Sequence, residues 1–330
     1  MNKLFKIISI ITISTLLLMG CSQRKIDVGY TIYPVQYLLE EIGQERVETH
    51  ALTNKRMVVR SQPKADYKEV LDKVDTLFIM GELEPYLDVI NQDIIDKDTN
   101  IIDLSIKSGV FNFQRNTKVN VDNQIVDVQS NYYENPIFDT IDTYNSDPYL
   151  WLDPITMTSM ANQVKAYLIE KDPDNTDFYQ KNFNELKIKL AYLDSDYLSL
   201  RKDENFRFAT MTPSYGIWQN NYNYSISPII LSKYGVVPTK QQLELIKVRI
   251  ANDGSQYLII DDILDDDVKA LANELAEDLD LEKVVLSNLA FRSKEDVDEK
   301  YDYIDIMNKN LNILKELDKD LDEELDNAEE

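Results

Sequence analysis

Few residue types in this chain could carry chemistry. Among 330 residues there is one histidine, His50, and one cysteine, Cys21. A nucleophile activated by a neighbouring base needs an imidazole or a thiolate at its centre, and one histidine nearly excludes that arrangement. There is no Gly-rich phosphate loop and no Ser-centred elbow. The chain is expected not to be an enzyme. Carboxylates are plentiful, with 59 Asp and Glu against 35 Lys and Arg and a formal net charge of −24. At that density paired acids arise by chance. One grouping has a telling position: Asp261-Asp262 and then Asp265-Asp266-Asp267 flank the end of an expected strand, where binding clefts of α/β lobes open. An oxygen-only site there would favour Mn²⁺, Mg²⁺ or Ca²⁺. The plainer expectation is that these acids cap the following helix and face water. Arg56 and Arg60 argue against a cation beside them and fit an anionic ligand or, as the plainer expectation, a salt bridge to acids across a cleft. His50 falls on an expected strand, with a structural or surface duty rather than a metal role.

Cys21 has a different setting. Lys3 and Lys6 precede an uncharged apolar stretch from Ile7 to Met19, too short to span a bilayer comfortably. It ends in Leu18-Met19-Gly20-Cys21, which resembles the bacterial lipobox, in which the cysteine becomes the lipidated N-terminus. A lone cysteine in an exported chain has no internal disulfide partner. The expectation is a signal peptide over 1–20, acylation (palmitate among the chains) on Cys21, and anchorage at the extracytoplasmic face of the cell membrane. Loss of Lys3 and Lys6 with the leader deepens the acidic excess, so nucleic acid, bound through counterion release, is excluded as a partner.

Alternating elements must position these groups. Short β-rich runs at Val28–Ile32, Val47–Leu52, Thr76–Met80 and Ile101–Leu104 interleave with helical patterns near 35–42 and 65–74, arguing for parallel α/β layers. Residues 112–147 are polar and read as a long surface loop. Asp153-Pro154 has the form of an N-cap followed by proline in the first turn. Tyr179, Phe183, Leu186, Leu190, Leu193, Tyr197 and Leu200 then step by four and three, predicting one amphipathic helix over about 174–202, roughly 43 Å long. The alternation resumes with strands at Phe206–Met211, Tyr257–Ile260 and Val284–Leu286, and helices near 241–250, 266–279 and 303–316. The expected organisation is a first α/β lobe over 21–172, a linking helix over 173–203, a second lobe over 204–317 and a frayed acidic tail over 318–330.

Three stretches give a family resemblance. Tyr30-Thr31-Ile32-Tyr33-Pro34 with Glu41-Ile42-Gly43 and Arg46-Val47-Glu48 is the first. Asp147-Pro148-Tyr149-Leu150-Trp151-Leu152-Asp153-Pro154, with Asp172-Pro173-Asp174-Asn175 and Tyr179-Gln180-Lys181-Asn182, is the most specific. Tyr257-Leu258-Ile259-Ile260 and Tyr303-Ile304-Asp305-Ile306-Met307 close the set. The chain resembles the substrate-binding lipoproteins of zinc and manganese ABC uptake transporters over nearly all of its mature length. That resemblance implies two parallel-sheet α/β lobes joined by one long rigid helix, a ligand cleft between them, an ABC permease as partner, and a monomer. It also implies Zn²⁺ or Mn²⁺ held by histidines and a carboxylate.

Carried onto this sequence, those ligand positions fall at or beside Met57, at Tyr149, near Thr212 and near Ser287. None is a good zinc ligand at neutral pH: a phenol titrates near 10, hydroxyls are weak donors, and a thioether suits Cu(I) better. The positional equivalent of the family's histidine-rich loop, 112–147, contains no histidine. No metal or other cofactor is therefore assigned; Asp261 and Asp262 are the candidate substitutes. The expected function is a lipid-anchored solute-binding component of an importer with a rebuilt site. The alternatives are an adhesin or scaffold that has lost binding, and a binder of a small organic ligand in a cleft lined by Tyr149, Trp151, Tyr215, Trp218, Tyr222 and Tyr224.

Overall fold

The computed structural model describes residues 25–121, 124–200 and 206–329; Cys21 and the leader lie outside them. Strands β1 (Ile26–Tyr30), β2 (Val47–Ala51), β3 (Thr76–Ile79) and β4 (Asn100–Asp103) form one parallel sheet in the order β2-β1-β3-β4. Helices α1 (Tyr33–Gly43), α2 (Tyr67–Leu71) and α3 (Leu87–Asp96) connect them. The central β3 is buried at every residue, as a strand covered on both faces must be. α3 was not assigned from sequence.

Residues 112–147 depart from the expected loop. They hold an antiparallel hairpin of β5 (Arg115–Val121) and β6 (Gln124–Ser130). The reason is an alternation obscured by polar neighbours: Val119 and Val121 on one strand, Val126 and Val128 on the other. Arg115 anchors the hairpin to the second lobe, its Nη1 and Nη2 donating to Asp253 at 2.7 and 2.9 Å.

Asp153 caps α4 (Pro154–Lys171) as expected, accepting from the Thr156 amide at 2.7 Å. α5 (Thr176–Leu198) buries Tyr179, Phe183, Leu186, Leu190, Leu193 and Tyr197 on one stripe. At 23 residues it is roughly 34 Å long, shorter than expected but still longer than a single sheet needs. Its first half is pinned to the first lobe by Asn182 Nδ2, which donates to Ile42 O at 3.0 Å. Its last turns are pinned to the second lobe, where the Tyr197 hydroxyl donates to Met307 O at 2.8 Å. Opposite ends of one rigid element thus hold the two halves.

The second sheet is again parallel, in the order β10-β9-β7-β8, from β7 (Arg207–Thr210), β8 (Ser225–Pro228), β9 (Tyr257–Asp261) and β10 (Glu282–Leu286). Around it lie α6 (Ile217–Tyr222), α7 (Lys240–Asp253), α8 (Asp266–Leu279), α9 (Lys294–Asp298) and α10 (Tyr303–Glu329). The tail expected to fray instead continues α10 to Glu329. Leu314, Leu317, Leu321 and Leu325 keep helical spacing through the acidic run. β8 is a short, fully buried strand ending in proline, too brief to register as a pattern.

Candidate functional site

The polar groups of interest gather at the C-terminal ends of β7, β9 and β10. Asp261 is the last residue of β9 and only 5% exposed. The chain leaving β7 supplies Thr212, Ser214 and Tyr215; the chain leaving β10 supplies Ser287 and Asn288. Thr212 donates its hydroxyl to Asp261 Oδ2 and lies 2.5 Å from Ser214 Oγ. The Tyr215 hydroxyl reaches Asp261 Oδ1 at 3.2 Å, and Asn288 Nδ2 reaches Ser214 Oγ at 3.4 Å. Every group bonded to the Asp261 carboxylate here is uncharged. Burial is the larger influence and pushes the acid up to about 6, against the lowering effect of its hydrogen-bond donors.

Asp262 is pushed further, to about 7, first by burial and then, against a bond from Ser287, by the charge of Asp261. Its Oδ1 is buried with no hydrogen-bond partner. The expectation that these two acids cap the next helix and face water is thereby corrected for Asp261: the strand carries it inward, under the loops that follow β7 and β10. Asp265, by contrast, does stand at the N-cap position of α8, though its carboxylate makes no cap bond.

From the other side comes Tyr149, fully buried, its ring 5.2 Å from that of Trp151. Its hydroxyl has no hydrogen-bond partner. Burial drives the phenol pKa well above its ordinary value, and the charge of Asp261 adds to the rise, against a lowering influence from the nearby Ser214 hydroxyl. The segment is held by Asp147, whose Oδ1 accepts from the Tyr149 amide at 2.9 Å. Asp147 packs so closely on the turn before α6 that a Cβ at Gly216 would lie 2.3 Å from its Oδ2. Trp151 Nε1 donates to Asn288 O at 2.7 Å, tying the two sides together.

Tyr149, Thr212, Ser287, Asp261 and Asp262 are thus brought into one neighbourhood. Met57 is buried at the start of a short turn over Val58–Arg60, and no hydrogen bond joins it to that group. Ser214, Tyr215 and Asn288 were not singled out for this network; the signal available was the Thr-x-Ser spacing directly after a strand. The aromatic-lined cleft is corrected. Tyr215, Trp218, Tyr222 and Tyr224 pack against one another, with Tyr215 and Trp218 centroids 4.8 Å apart, as core.

The expected salt bridge is present between the lobes. Arg56 Nη2 lies 2.7 Å from Asp265 Oδ2, while Arg60 Nη1 lies 3.1 Å from Asp265 and 2.7 Å from Asp267. Arg60 also donates twice to Gly235 O, at 2.9 and 2.8 Å. The arginines hold both aspartates below the usual carboxylate range against the opposing effect of burial, which for Asp265 is the largest single influence. Beside them is an open groove of about 510 Å³ lined by Arg56, Arg60, Ser61, Tyr86, Tyr234 and Gly235 among others. His50 lies far along the first sheet's outer edge, its Nε2 2.8 Å from Asp27 Oδ1.

Two parallel α/β lobes, braced by one helix, meet over polar groups at strand ends. The chain belongs to the family described as zinc-uptake complex component A, periplasmic, whose model matches residues 28–317. The high-affinity zinc uptake system protein ZnuA of Bacillus subtilis is 30% identical over 171 residues, 52% of this chain and 53% of that protein. The zinc-binding protein AdcA of Streptococcus pyogenes is 20% identical over 297 residues, 89% of this chain and 56% of that one. The chain thus spans about half the length of the curated relatives it matches. Among solved structures, FpvC from Pseudomonas aeruginosa in complex with Mn²⁺ superposes with a TM-score of 0.68 at 13% identity, covering 91% of this chain and 100% of that one. The laminin-binding protein Lbp of Streptococcus pyogenes gives 0.65 at 15% identity, covering 88% and 98%. At such identities the likeness is one of fold. Among the described residues no helix is long and apolar enough to cross a membrane.

Proposed function

We propose that this chain is the extracytoplasmic solute-binding component of an ABC importer, held at the membrane by lipid on Cys21, and that its cargo is a divalent cation taken by oxygen donors rather than imidazoles. One observation carries the reading: the buried carboxylate of Asp261 and the partly buried one of Asp262 are adjacent and, among the described residues, have no cationic side chain bonded to them, and the buried Asp262 Oδ1 has no partner at all. A buried acid without a counter-charge is costly, and a cation between Asp261 and Asp262 would relieve both. Tyr149, Thr212 and Ser287, at or near the positions that the resemblance implies for the family's ligands, would contribute neutral oxygens. Such a set suits Mn²⁺ better than Zn²⁺. The permease partner and the monomeric state follow from the family reading.

A second reading, a scaffold or adhesin with no cargo, is favoured by the hydroxyls already bonded to Asp261 and by the arginine–aspartate pairs across the lobes. Titration of Mn²⁺ into tag-free His50→Gln protein, followed by loss of the free-ion electron paramagnetic resonance signal, separates the two. Uptake of one equivalent that Asp262→Asn abolishes is expected. No uptake at millimolar Mn²⁺ would refute the cation reading and leave the scaffold.

A further inference from the structure

The sole histidine stands on β2, the edge strand of the first sheet, among carboxylates. β1 and β2 pair in parallel with Asp27 opposite Glu48 and Gly29 opposite His50. Side chains alternate across a sheet, so Asp27, Glu48 and His50 project from the same face. Thr49, of the other parity, bonds Glu40 of α1 at 2.8 Å, which puts the trio on the face turned away from that helix. One ligand atom from each of the three lies within 4.8 Å of the others. The two closest, His50 Nε2 and Asp27 Oδ1, are 2.8 Å apart.

We infer that Asp27, Glu48 and His50 form a surface site for a borderline divalent transition metal, Zn²⁺ being the natural probe. Ligand atoms on a tetrahedral zinc ion at 2.0–2.2 Å stand about 3.4 Å from each other. The imidazole–aspartate pair needs only a small separation to admit the ion. Glu48 closes the remaining distance by rotating a side chain that is about half exposed. The backbone does not move, because the strand register fixes all three Cα positions. Water takes the fourth place, as in other sites with three protein ligands. The nearest competing charge is Lys25, 3.8 Å from Glu48, with both side chains about half exposed; such pairs are weak and give way to a metal. One imidazole with two carboxylates is a mixed nitrogen–oxygen set, and this separates the site from the oxygen-only cleft: borderline Zn²⁺, Ni²⁺ and Cu²⁺ are preferred here over Mn²⁺.

The chain's composition makes the test direct. With one histidine in the native sequence, the imidazole C–H proton resonances of tag-free protein belong to His50 alone. Zinc should shift them in proportion up to one equivalent. Asp27→Asn should weaken that binding at least tenfold, and His50→Gln should remove one equivalent from a competition titration against a zinc-sensitive dye. Asp261→Asn should leave the His50 response unchanged. Resonances that stay put through two equivalents of zinc would overturn the site. So would a zinc stoichiometry that His50→Gln leaves intact, or a His50 response that disappears with Asp261→Asn.

Discussion

Glu84 offers the sharpest test of how the interior treats charge. It is 3% exposed, and its carboxylate accepts from the Thr31 hydroxyl at 2.5 Å and from the Met80 amide at 3.1 and 2.9 Å. Burial nevertheless outweighs those donors and raises the group from 4.5 to about 8. A raised acid is protonated in the folded state while the unfolded chain has already released its proton. Stability therefore falls as pH rises from about 4.5 to about 8, and is constant outside that window on this account. Each unit of pH within it costs about 1.4 kcal/mol, so pH 5 to 7 removes about 3 kcal/mol if the group behaves ideally. At roughly 2 °C per kcal/mol for a chain of this size, the melting temperature drops by about 5 °C. Asp147, raised to about 7 by burial, acts with the same sign. Asp265 and Asp267, lowered by their arginines, contribute fully above about 3.8 and so do not oppose the trend. Glu84→Gln keeps the shape and removes the titration; its amide oxygen accepts from Met80 and its nitrogen faces a Thr31 hydroxyl free to turn. The variant should melt with the wild type at pH 5 and above it at pH 8, measured by circular dichroism with EDTA present. A wild-type melting temperature that is flat or rising from pH 5 to 8, or a Glu84→Gln curve parallel to it, would refute the reasoning.

Other expectations follow from single contacts. Arg60→Ala removes two ion pairs and both bonds to Gly235 O; a loss of about 1–2 kcal/mol is expected, since Asp267 is largely solvated. Amide exchange should quicken both at 60–61 of the first lobe and at 265–268 of the second, and quickening on one side alone would argue against a clamp between lobes. Arg115→Ala strands Asp253 in a pair whose side chains are 9% and 11% exposed, and should lower stability by about 3–5 kcal/mol in urea unfolding. Tyr149→His returns an imidazole opposite Asp261 and Asp262 and, in a His50→Gln background, should raise zinc affinity at least tenfold by calorimetry. Unchanged affinity would show that Tyr149 does not face the two aspartates.

What the sequence disclosed depended on whether the signal was local. The Asp153-Pro154 cap and the stripe from Tyr179 to Tyr197 are settled by neighbours within a turn or two, and the structure keeps both. The hairpin over Arg115–Val121 and Gln124–Ser130 was hidden because its valines alternate with Lys, Asn and Asp, a pattern shared by polar loops; the Arg115–Asp253 pair that ties it to the second lobe joins residues far apart along the chain. The same holds at the cleft. That Asp261 ends a strand was legible, but that it is buried beneath Thr212 and Tyr215 depends on packing across three strands. His50 was legible only as a strand residue, because the register that sets Asp27 opposite Glu48 belongs to the sheet.

On the proposed reading, a phenol at Tyr149 where the family resemblance implies an imidazole changes what this site can hold. Tyr149 is buried deeply enough that its proton is bound more tightly than in water, so at physiological pH it offers a neutral oxygen and no negative charge. Thr212 and Ser287 offer the same. On the proposed reading the negative charge offered to a cation resides on Asp261 and Asp262, and neutral hydroxyls from one strand end already orient the first of them. Two carboxylates surrounded by hydroxyls cannot match the affinity of imidazoles for zinc, but they satisfy an ion that prefers oxygen and tolerates more ligands. On that reading selectivity would be set by which atoms reach the ion, and the parallel lobes and the helix that braces them would bring those atoms together.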